Sequence, residues 1–273
     1  MFRRVRPYST FIDKCPQPVY DTGCTYCKVP AFPPDKRLDA TTHLNGTAPS
    51  MWKHVLAFSH GVATFDTMPP KINLVPGSLA SEFEVLRRKM LSPQHPVTLS
   101  NAIVSGIDGG THQKVFIYPD CIQVEFKLAN LPEFIQHYLL PVQETESVFN
   151  PFASANATPH TRVERPHLFQ ETPIHKDLVL ICGHTQRDIR CGRIAPLLLQ
   201  EFERVLAHEK LDVDVGLVSH IGGHAYAGNV IYFSKHQPPV WYGRVFPEQV
   251  QGIVRETIVG GRIIKELYRG QTM

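Results

Sequence analysis

Apolar positions along the chain fall into runs and helical stripes, and the same succession occurs twice. Trp52–His60 (WKHVLAFSH) is a near-continuous apolar run and reads as a buried strand. In Ser78–Leu91, Leu79, Phe83, Leu86 and Met90 share one face behind Ser78 or Ser81 as a cap, which predicts a helix. Val97–Val104 reads as a strand. Lys114–Tyr118 and Ile122–Phe126 read as two more, around a Pro119-Asp120 turn. Leu131–Leu140, with Pro132 in its first turn, reads as a helix. Further on, Leu178–Cys182 (LVLIC) is an apolar strand. Ile194–His208 is a helix with Pro196 in its first turn and Leu198, Phe202, Val205 and Leu206 on its apolar face. Val213–Val218, Val230–Phe233 and Val240–Val245 are strands, and Pro247–Ile258 is a helix.

Each half therefore runs strand, helix, three strands, helix. Local similarity supports the comparison: HVLAFSHG (54–61) resembles LVLICGHT (178–185), and AIVSGIDGGTHQKVFIY (102–118) resembles GLVSHIGGHAYAGNVIYF (216–233). This predicts an α/β fold built by tandem duplication, and a βαβ start followed by two strands and a helix suits a thioredoxin-like layer. The expected division is a Pro-rich segment at 15–50, a first unit at 51–142, a linker at 143–175 with Pro151, Pro159, Pro166 and Pro173, and a second unit at 176–273. Ahead of these, Arg3, Arg4 and Arg6 precede the first acid, Asp13, with Ser9, Thr10 and interspersed apolar residues but no secretory apolar core. Residues 1–14 read as a mitochondrial presequence, with the matrix favoured over the intermembrane space. A net charge of +3 gives no footprint for nucleic acid. No apolar run reaches the roughly 18–20 residues of a membrane span.

With 14 His and six Cys in 273 residues, metal-ligand spacing is the chemistry to look for. In CGHTQRDIRCG, Cys182 ends a strand and Cys191 immediately precedes the helix. In SHIGGHAYAGN, His220 and His224 flank Gly222 and Gly223 after the next strand. The glycines argue against a helical turn and for a tight loop whose backbone passes close to something bulky. Both loops are expected at one edge of the sheet, where two thiolates and two imidazoles suit zinc or a [2Fe–2S] cluster. An eight-residue gap between the cysteines is long for a single ion and suits the wider cluster. His184 is expected beside the ligands rather than among them. Arg187, Arg190 and Arg193 form either a positive rim for an acidic redox partner or a solvated loop pairing with Asp188. Asn229 is a candidate to hold the ligand loop. Cys24 and Cys27 form a C-x2-C in the Pro-rich segment, with Cys15 upstream. These three are candidate redox thiols, as in a thiol–disulfide oxidoreductase, or a second ligand set, or the C-x2-C is an incidental pair. Cys121 reads as packing. Neither a Ser/His/Asp arrangement nor a P-loop nor a G-x-G-x-x-G is evident, so an electron carrier or redox sensor is favoured over a catalyst with its own substrate.

CGHTQRDIRCG and HIGGHAYAGNVIYF resemble the two signatures of the sucrase/ferredoxin-like family, thioredoxin-like [2Fe–2S] ferredoxins of which several use a Cys pair and a His pair. With the presequence, the chain is most similar to the fungal branch named for altered inheritance of mitochondria. The resemblance is strongest over residues 176–260. Over 50–142 it is weaker and the ligand positions look lost, with Phe58 or Ser59 near the place of Cys182 and Gly106 at that of His220. Thioredoxin-like ferredoxins commonly use C-x3-C for the second pair, where this chain has His-x3-His. The resemblance implies Cys182, Cys191, His220 and His224 as cluster ligands and a redox protein as partner. Two neutral imidazoles in place of thiolates would raise the potential relative to an all-Cys site, as in Rieske centres. A ring nitrogen left free to titrate would couple electron uptake to proton uptake.

Overall fold

The computed structural model describes residue 8 and residues 10–58, 64–107, 112–141 and 166–272. Most of the linker reading (143–165) and residues 1–7 and 9 of the presequence reading lie outside these. In chain order the strands and helices are β1 (Thr10–Ile12), β2 (Lys53–Phe58), α1 (Leu79–Met90), β3 (Val97–Val104), β4 (Gln113–Tyr118), β5 (Ile122–Phe126), α2 (Leu131–Tyr138), β6 (Gln170–Pro173), β7 (Asp177–Cys182), α3 (Ile189–His208), β8 (Val213–Val218), β9 (Val230–Phe233), β10 (Val240–Tyr242), α4 (Pro247–Ile253), β11 (Arg262–Ile264) and β12 (Tyr268–Gln271).

The duplication is visible in the pairing. β2 lies parallel to β3 across the crossover helix α1, and β7 lies parallel to β8 across α3. β4 and β5 extend the first unit antiparallel, as β9 and β10 extend the second. The two units join edge to edge through antiparallel β3 and β8, with Ala102 opposite Val218 and Val104 opposite Gly216. One ten-stranded sheet results, in the order β12-β10-β9-β7-β8-β3-β2-β4-β5-β6. The fold is the α/β, thioredoxin-like architecture expected. Central strands are covered on both faces, which is why β2 and β7 are apolar almost throughout instead of alternating.

The strands that escaped prediction are short: β6 and β12 are polar edges of the large sheet, and β1 and β11 form a separate two-stranded pair. β6, within the stretch read as a linker, is exposed along its length and pairs with β5. β1, within the stretch read as a presequence, pairs parallel with β11. Lys265 reaches Asp13 at 2.7 Å, and the Cys15 N–H donates to Glu266 at 2.6 Å. α3 begins at Ile189, five residues before the expected start, because the Asp188 carboxylate caps it by accepting the Arg190 N–H at 3.0 Å. Pro196 thus lies inside the helix. α4 gives way to a wider π-type turn over Val254–Val259, and β10 ends at Tyr242.

His54 in β2 is buried, 2.9 Å from Ser100 Oγ through Nε2 and within 6.1 Å of the Trp241 ring. Burial disfavours the imidazolium and lowers its pKa from 6.5 to about 3. The unfolded chain therefore binds a proton that the folded chain refuses, and stability falls as pH drops from about 6.5 towards 3. Between about pH 7 and 4.5 the parent should lose on the order of 2 kcal/mol more than His54→Asn in urea unfolding. Equal losses would refute it.

Candidate metal centre

Cys182 closes β7 and Cys191 lies in the first turn of α3, not before it. The residues between them fold back tightly: the Arg187 and Asp188 N–H groups both donate to the His184 carbonyl at 3.1 Å. Gly192 allows this loop to lie on the helix, since a Cβ there would sit 2.2 Å from Thr185 Oγ1. The opposing loop leaves β8 through Ser219 to His220. Gly222 and Gly223 turn it with φ of +82° and +72°, and one turn of 3-10 helix, His224–Tyr226, follows.

One donor atom each from Cys182, Cys191 and His220 lies within 4.8 Å of the others. His224 stands beside this triad, its ring centroid 5.5 Å from that of His220. The thiols are buried and near enough to act on each other. Cys191, helped by His220 and the Ile221 N–H, holds the Cys182 pKa well below its usual range, and Cys182 together with burial raises that of Cys191. Burial lowers the pKa values of His184 and His224, keeping both imidazoles neutral and able to ligate. The buried Nδ1 of His220 has no hydrogen-bond partner among the described residues. An orphaned imidazole nitrogen beside two converging thiols fits a thiophilic metal or an iron–sulfur group.

The surroundings sort the other candidates. His184 accepts the His220 N–H at Nδ1 (3.3 Å), and its Nε2 meets the Met68 carbonyl at 3.2 Å, tying the ligand loop to the first unit. Asn229 donates to the Gly223 carbonyl at 2.8 Å. The arginines do not form a continuous rim. Arg190 is buried and bidentate on Asp188, both bonds 2.8 Å, and donates to the Arg37 carbonyl. Arg193 donates to the Ala31 carbonyl. Arg187 is exposed and lines a cleft of about 470 Å³ with Lys71, Arg87, His184 and His220. Among the described residues of the first unit, no donor stands at the places of Cys182 and His220. Phe58 ends β2 as Cys182 ends β7. By strand register Val104, not Gly106, takes the position of His220, because Ala102 pairs with Phe58 as Val218 pairs with Cys182. Ser59 lies outside the described residues.

Arg269 in β12 escaped the sequence reading. It is the bulky neighbour for which the glycine loop makes room: a Cβ on Gly223 would lie 2.5 Å from its guanidinium. The buried side chain donates to Asn229 Oδ1 (2.7 Å), the Gly222 carbonyl (3.4 Å) and both oxygens of Thr47 (3.1 and 2.7 Å). All four acceptors are neutral, and the thiols of Cys182 and Cys191 are near enough to bear on its charge.

Cys15 does not join Cys24 and Cys27. Its thiol packs against Gly252 and donates to the Gln249 carbonyl at 3.5 Å, and the triad is the sole group of three donors among the described residues. No described helix is long and apolar enough to cross a membrane.

The family model described as sucrase/ferredoxin-like matches residues 44–270. Two relatives carrying the name altered inheritance of mitochondria protein 32 are similar along nearly their whole length. The protein of Clavispora lusitaniae is 98% identical over 100% of both chains, and that of Debaryomyces hansenii 49% identical over 97% of this chain and 98% of its own. A third of the same name, from Eremothecium gossypii, is 29% identical over 88% of this chain and 84% of its own. No solved structure matches.

Proposed function

The chain belongs to the sucrase/ferredoxin-like family, and on that premise we propose that it is a [2Fe–2S] protein held by Cys182, Cys191, His220 and His224 that serves in electron transfer or redox sensing. The observation that carries this reading is the meeting of Cys182, Cys191 and His220 within 4.8 Å from three separate segments. His224, set beside the triad rather than within it, favours a group wider than one tetrahedral ion, whose donors sit about 2.0–2.3 Å from a single centre. When bound, the cluster supplies a one-electron store. The protein's part is to orient and shield it: His184 fixes the His220 backbone, and Arg269 and Asn229 fix the glycine loop. The cleft at His220, with Lys71, Arg187 and an Arg87 paired to Glu84 on its walls, is the approach we assign to an acidic redox partner. The names of the relatives and the basic amino terminus support a mitochondrial location, with the matrix favoured.

The compact triad taken alone would also serve a single zinc in a structural module, so one sample must separate the two. The protein is purified anaerobically, its absorption spectrum is recorded, and iron, sulfide and zinc are measured. The expected result is a red-brown protein with equal iron and sulfide. A colourless protein with stoichiometric zinc would move the assignment to the structural module.

A further inference from the structure

The amino-terminal strap carries a pair of thiols that the proposed centre does not use. We propose that Cys24 and Cys27 form a reversible intramolecular disulfide by exchange with a low-molecular-weight disulfide of the glutathione type. The Cys27 N–H donates to the Cys24 carbonyl at 2.9 Å, closing a four-residue turn. Such a turn holds its end Cα atoms within about 7 Å, against the roughly 4.4–6.8 Å that a disulfide spans. The two sulfurs are near enough to act on each other's charge, while their S–H groups point to backbone carbonyls, Cys24 to Leu197 and Cys27 to Gly23, both at 3.9 Å. The turn is also fastened to α3. Thr22 and Thr25 both donate to Glu201, a carboxylate with no exposure to solvent, and Arg204 donates to the Thr22 carbonyl at 3.0 Å. Within the turn, the N–H groups of Thr22 and Cys24 donate to Thr25 Oγ1 and Thr22 Oγ1 at 3.0 and 3.2 Å. Folding, not bond formation, therefore bears most of the entropy of bringing the sulfurs together.

The thiols differ in access. Cys24 is buried and its thiol points to the Leu197 carbonyl, whereas Cys27 is partly exposed beside the exposed Tyr26. This sets the order of steps. The Cys27 thiolate attacks one sulfur of glutathione disulfide; that S–S bond breaks and one glutathione thiolate leaves. Cys24 then gives up its proton to water and attacks the Cys27 sulfur, releasing the second glutathione. Two protein thiols are oxidised and one disulfide is reduced to two thiols. Burial and the contact with Cys27 raise the Cys24 pKa to about 11, so closure is the slower step and quickens as pH rises.

The test uses the full-length protein incubated with excess oxidised glutathione at about pH 8, quenched in acid, alkylated and digested. Fragment ions assign each sulfur, since Cys15 shares the tryptic peptide 15–28. The expected product is a Cys24–Cys27 disulfide, two hydrogens lighter, that escapes alkylation and is reopened by dithiothreitol, with Cys15→Ser behaving as the parent. Cys24→Ser should trap glutathione on Cys27, and Cys27→Ser should leave Cys24 unmodified. The pair should lose its preference over Cys15 in urea. Full alkylation of both thiols, a lasting glutathione adduct on Cys27 in the parent, or pairing of Cys24 with Cys15 would each overturn the proposal. None of these readouts depends on the metal centre, so the pair stands or falls separately from it.

Discussion

Anaerobically purified Cys182→Ser and Cys191→Ser proteins should keep the fold and lose the proposed cluster. Both thiols are buried and a serine oxygen fills nearly the same space, so the far-ultraviolet circular dichroism should not change. The donor chemistry does change. A thiolate binds soft and borderline metals through polarisable sulfur, and a neutral hydroxyl does not replace it. Iron and sulfide should fall by more than the roughly 10–100-fold that accompanies loss of a hydrogen-bond partner behind a ligand. His184→Ala, which removes such a partner from the His220 backbone, should fall within that smaller range. Parental iron and sulfide in both serine variants would place the binding site elsewhere.

Arg269→Met should be the most destabilising change outside the donors. It removes four hydrogen bonds and leaves the Thr47 and Gly222 carbonyls and Asn229 Oδ1 without this donor in a buried setting. Bonds from a charged donor contribute about 1.5–3 kcal/mol each, and the losses in one network do not add. A loss on the order of 3–5 kcal/mol in urea unfolding is expected. Arg269→Lys should recover only part of it, because a single ammonium cannot reproduce the planar fork. The charge has a second consequence. Arg269 sits near Cys182 and Cys191 with no carboxylate partner among its hydrogen bonds, so it favours the more negative, reduced state of a bound cluster. The midpoint potential should therefore drop in Arg269→Met and stay near the parental value in Arg269→Lys. A stability change under about 1 kcal/mol with an unmoved potential would show that the guanidinium has neither role.

The central elements were legible because their stabilisation is written locally. β2 and β7 are apolar runs, and α1 carries both its stripe and its Ser78 cap. The start of α3 was missed because Pro196 looked like a first-turn proline, while the Asp188 cap came before Gly192, which disfavours helix. β1, β6, β11 and β12 have three or four residues each. Edge strands this short form only because a neighbouring strand supplies the hydrogen bonds, and for β1 that neighbour, β11, lies near the other end of the chain.

The same distinction separates the donors from the centre. Two Cys and two His at strand ends, with glycines between the histidines, are properties of the sequence, and so is the repeated α/β succession that sets both loops on one edge. Which donors meet is a property of the folded chain. Cys182, Cys191 and His220 converge while His224 stays to one side, because strand register and the fold of the 183–188 loop set their distances. Arg269 reaches the site from a polar terminal strand with no motif around it. Periodicity reports which face of an element is buried, not which distant side chain will fill the space that a glycine leaves open.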